Sequence, residues 1–289
     1  MGRSIPPEQA FARGRYADPV LARRRAVLRE TVAAFDEADP PDRFHRQAAA
    51  NLARWREARA AAGGPPSPGV QVIAGDWGEV CAGLTKAWGQ TFAVLNMANA
   101  YRPGGAYVEG TAAQEENLFR RSDCHFALGR DEMDPQTERY LPAYTRLING
   151  VDGRVLLDAE RPRVCVRGPE IREREDLGYA WLEPEAIFPF YELRAAALDL
   201  RDGRPFDRGI AQAKIAAQLD TLIAAGLRHA VLSAFGCGAF GNPAGIVAAL
   251  YRDALAARAG AFDCVAFGIF DPGYGPDNYT PFAAAFADP

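Results

Sequence analysis

The sequence has little of what would tie it to a metal, a disulfide framework or a membrane. Only three histidines are present, His45, His125 and His229. They lie far apart, and none stands one helical turn from a carboxylate in the pairing that zinc sites use. The five cysteines (Cys81, Cys124, Cys165, Cys237 and Cys264) are odd in number and show no metal-like or redox-motif spacing. That scatter argues against a disulfide framework and for reduced thiols in a cytoplasmic protein. No apolar run reaches the roughly 18–20 residues that a membrane span needs. Residues 1–12 carry Pro6, Pro7 and Glu8 where a secretory peptide would have its apolar core, so no signal peptide is read. Basic excess is also missing: the formal net charge is −4, the opposite sign to a basic nucleic-acid-binding domain. A locally positive pocket for an anion stays open, because helix ends and main-chain N–H groups supply it without basic side chains.

What is present suffices for one large domain, or a domain with an extension: 289 residues, 48% of them hydrophobic. Two amphipathic helices open the chain. Asp18 caps the first, with Pro19 in its first turn and Leu21, Leu28, Val32 and Phe35 on one face, arginines opposite. The second follows Asp39-Pro40-Pro41, with Phe44, Ala48, Leu52 and Trp55 as its stripe. The Gly/Pro-rich stretch from Gly63 to Gly69 is the clearest linker signal. We therefore expect an N-terminal helical extension and linker over 1–69 and the main domain over 70–289.

Strands and helices alternate after the linker. Val70–Ala74, Phe92–Met97, Ala230–Phe235 and Cys264–Phe270 read as strands, with weaker candidates at Val155–Leu157 and Val164–Arg167. Asp207–Ala225 reads as a helix with Ile210, Ile215, Leu219, Leu222 and Ile223 inward, and a second helix starts at Asn242-Pro243. This order predicts an α/β layer fold with a mostly parallel sheet, whose ligands sit at the carboxyl ends of strands. Segment 127–190 is not assigned.

Four constellations carry chemistry. In the first, Asn99 leads into Gly104-Gly105-Ala106, and Gln114-Glu115-Glu116 opens a helical run. Glycines let the backbone turn sharply and approach a ligand. Their N–H groups would cradle phosphates while a carboxylic acid protonates a leaving oxygen, as cleavage of a phosphate-bearing glycoside needs. The plainer alternative is an ordinary turn followed by an acidic first helical turn, with Glu116 pairing to Arg120 at i, i+4. In the second, Gly236-Cys237-Gly238-Ala239-Phe240-Gly241 joins a buried strand to a helix N-terminus, a junction that gathers N–H donors toward an anion. It also serves as a tight turn with Phe240 over the core. The third is Asp76 after the first strand, an acceptor for an adenine amino group or simply a cap. The fourth is the loop from Phe270 to Tyr279, whose aromatics could hold a purine or cover a sheet edge.

In order, these features resemble a macrodomain, the ADP-ribose-binding α/β fold, and within it the bacterial-type poly(ADP-ribose) glycohydrolases. The signature of that branch is a Gly-Gly-Gly loop followed shortly by Gln-Glu-Glu. Here Gly104-Gly105-Ala106 departs from it at the last glycine, and seven residues separate the loop from Gln114-Glu115-Glu116. Residues 231–242 resemble the family's second phosphate loop. The resemblance implies a macrodomain-like mixed, mostly parallel sheet flanked by helices. It implies Glu116 as catalytic acid and Glu115 as the residue orienting the distal ribose. Gly104, Gly105, Ala106, Gly236, Cys237, Gly238, Ala239 and Phe240 would line the diphosphate and ribose. Asp76, Asn99 and Gln114 are further ligand contacts. The implied activity is hydrolysis of an ADP-ribosyl O-glycosidic bond, foremost in poly(ADP-ribose). Removal of single ADP-ribose groups from a side chain such as arginine or from nucleic acid is the alternative, and a non-catalytic ADP-ribose-binding module a third reading. The expected partner is ADP-ribose or a protein or polymer bearing it, with nucleic acid only as its carrier and no membrane. A monomer without cofactor or metal is expected.

Overall fold

A computed structural model describes residues 2–12, 14–64, 66–129, 131–273 and 275–287, with the side chains of 14 and 15 left aside. Two long helices, α1 (Pro19–Asp36) and α2 (Arg43–Ala61), precede β1 (Gly69–Ala74), α3 (Trp77–Trp88), β2 (Phe92–Met97) and α4 (Gln114–Arg121). Short elements follow: β3 (Met133–Asp134), β4 (Arg139–Tyr140), α5 (Pro142–Ile148), β5 (Leu156–Leu157) and β6 (Arg163–Cys165). The chain then runs through β7 (Phe188–Ala195), α6 (Arg208–Ala224), β8 (His229–Leu232), α7 (Ala244–Ala256), β9 (Cys264–Ile269) and α8 (Tyr279–Phe286). The main sheet has seven strands in the order β1-β9-β8-β2-β7-β5, with β6 also paired to β7. Strands β1, β9, β8, β2 and β7 run parallel, while β5 and β6 are antiparallel to β7. This is a mixed, mostly parallel sheet flanked by helices, the layer fold that the alternation of elements implies.

The period-2 rule assigns each strand side chain to one of two cores. Leu95, Leu193, Leu232, Val265 and Phe267 face the layer of α6, α7 and α8 with Leu219, Leu222, Leu250 and Phe282. Phe92, Val94, Phe190, Val231 and Ala266 face the opposite layer, with Trp77, Leu84, Leu118 and Phe119 from α3 and α4. Leu28 of α1 and Trp55 of α2 join this second core. The helices read as an extension therefore pack on the same hydrophobic layer as α3 and α4.

Several stripes differ in detail from the sequence reading. On α1 the buried face is Arg24, Arg25, Val27, Leu28 and Thr31, whereas Leu21, Val32 and Phe35 are only half-buried. Arg24 is buried because Glu170 takes it in a two-pronged pair at 2.7 and 3.0 Å. On α6, Ile215, Leu219 and Leu222 are buried as read, but Ile210 and Ile223 are exposed and Ala211 and Gln218 take their places. Gln218 is tolerated there because Tyr251 donates its hydroxyl to it at 2.7 Å.

Phe267 stands at the centre of the larger core, its ring 5.1 Å from Tyr251, 5.2 Å from Phe282 and 4.9 Å from Phe286. Phe267→Ala is expected to lower unfolding free energy by about 3–5 kcal/mol in chemical denaturation.

Candidate active site

Because β1, β9, β8 and β2 are adjacent and parallel, their carboxyl ends lie along one edge of the sheet. The four loops leaving that edge are the four constellations singled out in the sequence: Gly75-Asp76, Phe270–Tyr279, Ser233–Pro243 and Ala98–Gly110. Topology alone brings them side by side. In the loop after β9 Tyr274 lies outside the described residues.

The acids come first. Glu115 and Glu116 occupy the first turn of α4 and are both buried. Glu115 accepts from the N–H of Asn99 at 2.7 Å and, with its other oxygen, from that of Gly104 at 3.1 Å. Glu116 Oε1 accepts from the N–H of Ala106 at 3.0 Å. Glu116 Oε2 is buried with no hydrogen-bond partner. The glycine loop thus grips the two carboxyls, and its N–H groups are not held out for phosphates as the sequence suggests. Gly105 N also stays inside the loop, donating to Arg102 O at 2.9 Å.

This grip explains the glycines. Gly104 and Gly105 have φ of +72° and +60°. A Cβ on Gly105 would stand 2.5 Å from Glu116 Oε1 and 3.0 Å from Glu115 Oε2, so only a residue without one lets both acids close on the turn. One on Gly104 would meet the Tyr107 ring at 2.6 Å. Ala106 departs from the glycine signature at no backbone cost. Among the described non-glycine residues only Glu138, Leu177 and Tyr179 have positive φ.

Burial dominates the electrostatics. It pushes the Glu115 carboxyl well above its ordinary range, and the neighbouring charge of Glu116 adds to the effect. Burial also raises Glu116, against the Ala106 N–H bond that favours its anion. The helix N-terminus favours the anion too, but burial wins. Both oxygens of Glu115 already accept N–H bonds, so although burial raises Glu115 the more strongly, Glu116 Oε2 is the carboxyl oxygen left free to carry a proton. The competing i, i+4 pair to Arg120 does not form. Arg120 instead donates to Thr111 O at 2.9 Å and to Tyr179 Oη at 3.0 Å.

Gln114 sets where α4 begins. Its amide accepts from Met97 N at 2.9 Å and donates to Leu95 O at 2.7 Å, extending the β2 hydrogen-bond ladder by one side chain. Both its polar atoms are thereby engaged by β2. Asn99 folds the following turn, its Oδ1 accepting from Tyr101 N and Arg102 N at 2.9 and 2.8 Å. Asp76 Oδ1 caps α3 through Gly78 N at 2.8 Å and pairs with the buried Arg121 of α4. The first and second strand ends are in this way locked to the helix that carries the acids.

The loop after β8 has a different character. Gly236, at φ +76°, is packed against Ala197 and Asn242, and the Asn242 amide ties the loop to Leu198 O at 2.7 Å and Gly236 O at 3.0 Å. The Cys237 side chain is buried in the core and its N–H bonds to Ala234 O, so it contributes packing at this point. Burial pushes its thiol up to about 12. Gly238 and Ala239 are exposed, and nothing lies within 4 Å of a Cβ built on Gly238. Among the described residues the N–H groups of Gly238, Ala239 and Phe240 have no acceptor in the protein. The half-buried Phe240 ring carries the Arg201 guanidinium 4.8 Å from its centre.

Sequence reading missed the supports behind the acids. β7 lies in a stretch poorly legible because Glu192 and Arg194 interrupt its apolar pattern. Both are buried, joined at 2.8 and 3.0 Å, with Asn96 donating to Glu192 at 2.7 Å. Burial opposes ionisation of Glu192, yet Arg194 holds its carboxyl below the ordinary value. Glu115 feels both charges. The only sequence signal was an acid and a base two apart in a strand-like run. Arg3 gives none.

Comparison with known proteins adds independent support. Residues 23–142, the segment bearing the glycine loop and the acids, match the family model for the microbial-type PARG catalytic domain. No curated protein matches the sequence. Among solved structures, the poly(ADP-ribose) glycohydrolase of Thermomonospora curvata is 24% identical, with a TM-score of 0.58, covering 91% of this chain and 99% of its own. Its complex with the inhibitor ADP-HPD matches at 23% identity, a TM-score of 0.58 and the same coverage. A point mutant of the Deinococcus radiodurans poly(ADP-ribose) glycohydrolase in complex with ADP-ribose is 25% identical, with a TM-score of 0.57, covering 82% of this chain and 91% of its own. The chain is thus similar to the microbial-type PARG catalytic domain over residues 23–142 and has the macrodomain-like fold of these bacterial enzymes.

Gly105→Ala sets a methyl against both carboxyls at a left-handed φ. We expect a stability loss of roughly 1–3 kcal/mol in chemical denaturation, with the two acids displaced from the loop in a structure of the variant.

Proposed function

We propose that this chain is a poly(ADP-ribose) glycohydrolase, cleaving the O-glycosidic bond between ADP-ribose units with Glu116 as the acid. One observation carries the reading: a buried carboxyl oxygen, Glu116 Oε2, has no partner, and burial raises the affinity of that carboxyl for a proton. An orphaned buried polar atom costs free energy, and a substrate oxygen accepting its proton recovers it.

The roles follow from what each group has left to offer. The free N–H groups of Gly238, Ala239 and Phe240 receive the diphosphate. The Phe240 ring lies against the distal ribose. Asp76 makes its two contacts through Oδ1, which leaves Oδ2 for the adenine amino group. Phe270, exposed at 46%, offers a face for the purine. With the diphosphate held, the scissile bond is presented to Glu116. Glu116 donates its proton to the leaving oxygen as the anomeric C–O bond breaks and the sugar becomes oxocarbenium-like. The resulting carboxylate takes a proton from water, whose oxygen bonds to the anomeric carbon. Glu115, fixed as acceptor of two N–H bonds, supplies negative charge beside the developing cation and orients the ribose.

Five buried, unpaired thiols suit a reducing compartment, and we place the protein in the cytoplasm as a soluble enzyme. Among the described residues no helix is long and apolar enough to cross a membrane.

Glu116→Gln is expected to lower the turnover of poly(ADP-ribose) at least about 100-fold while ADP-ribose affinity by calorimetry changes little. Undiminished turnover would remove Glu116 from the mechanism. Assays on defined substrates separate the polymer from mono-ADP-ribosylated arginine and nucleic acid; release from a mono-modified target alone would reassign the bond. The sign of the pH dependence is also fixed. The acid acts only when protonated and its pKa is raised, so activity persists above the ordinary carboxyl range and falls as pH rises through the raised value. A pH–rate profile checks this.

A further inference from the structure

The peptide unit joining Gly105 to Ala106 is held at both ends. Its N–H donates to Glu116 Oε1 at 3.0 Å, and its carbonyl accepts from Arg3 Nη1 at 2.6 Å. An amide is planar, so rotation that breaks one bond breaks the other. The residue that begins this peptide, Gly105, is at positive φ and follows a second such glycine, Gly104, so the turn on its N-terminal side has no side chain of its own to hold it.

Arg3 is built into the site. It is 3% exposed although it lies near the start of the described chain. Its Nε donates to Glu138 Oε2 at 3.2 Å, and Nη2 lies 3.5 Å from Glu109 Oε1. Its own N–H donates to the Tyr107 hydroxyl at 3.1 Å, and the next N–H, of Ser4, donates to Glu138 Oε1 at 2.8 Å. The Tyr107 hydroxyl in turn meets His125 Nδ1 at 2.9 Å. Five contacts thus aim one guanidinium at one carbonyl of the glycine loop.

We propose that Arg3 is a positioning residue for catalysis: it locks the Gly105–Ala106 peptide in the orientation that holds the Glu116 carboxyl, so the N-terminal segment completes the active site. This rests on the reading of Glu116 as the acid. A charged donor on the carbonyl polarises the amide and strengthens its N–H as a donor to Glu116. The other groups acting on Glu116 are Glu115, Glu109 and Arg120; of these only Glu109 touches Arg3, and its freed charge would act in the same direction, raising Glu116.

The experiment follows the Glu116 carboxyl directly, by carbon-13 NMR titration of the full chain, beside kinetics on poly(ADP-ribose). In Arg3→Met the Ala106 N–H bond loosens and the anion loses support. The Glu116 titration is expected to move up by about one pH unit, with kcat down about tenfold, KM within a factor of two, and the alkaline limb of the pH profile shifted likewise. Arg3→Lys, which keeps a charged donor, restores most of both. Should Arg3→Met fail to fold, Glu138→Gln removes one anchor of the arginine without touching the loop and produces a smaller shift of the same sign. An unmoved Glu116 titration in the folded variant overturns the proposal. Wild-type protein that titrates as described but hydrolyses no ADP-ribosyl substrate overturns the functional reading instead, leaving the role of Arg3 in holding Glu116 tested by NMR.

Discussion

The structure turns on one interaction: two adjacent carboxyls buried against a glycine turn and held there by its main-chain N–H groups. Burial of an unpaired carboxylate is expensive, and burial of two side by side more so. The loop answers that cost with three N–H bonds, two to Glu115 and one to Glu116. Three donors for four oxygens leave one atom unserved. In the proposed mechanism that oxygen, Glu116 Oε2, is the one that carries the proton to give.

Much of the surrounding architecture serves to hold α4 still. Arg121 reaches Asp76 at the head of α3 and donates to Arg167 O at 3.0 Å. Thr31 of α1 donates to Arg120 O at 2.7 Å, and Gln114 stitches the first turn to β2. These anchors come from α1, α3, β2 and the loop after β6, so the eight-residue helix is oriented by the whole layer beneath it. An isolated helix of that length has no stability of its own. Tertiary contacts fix it, and rigid placement is what a general acid needs.

The layer fold and the site's location were legible because both rest on patterns that single residues announce. β2 was read at its true bounds from a mostly apolar run, and Asp18 marks the start of α1 by its chemistry. The acids were legible as a pair, since a buried strand, a glycine turn and Gln-Glu-Glu in that order have few uses. What escaped reading shares one cause. The buried face of α1 and the role of Arg3 depend on arginines whose burial is made possible by distant partners, Glu170 and the Glu138 and Gly105 contacts, while in β7 the buried Arg194 pairs with Glu192 only two residues away. A charge in a strand or on a helix face reads as exposed until its partner is known, and pairing across 100 residues or more leaves no local trace.

The same accounting separates the two glycine loops, which look alike in sequence. In the loop after β2 the N–H groups of Gly104, Gly105 and Ala106 are all engaged within the protein. In the loop after β8 those of Gly238, Ala239 and Phe240 are not, and the glycine there faces open space. Glycine serves opposite ends in the two: in one it lets the protein's own carboxyls come close, in the other it leaves room for a ligand. In the proposed function an anion binds the one loop and the acid stands at the other. Because β8 and β2 are neighbours in the sheet, the distance between grip and acid is set by strand spacing, a quantity that loop sequence hardly alters. On the proposed function, that fixed separation would let the binding of a diphosphate orient a bond one sugar away.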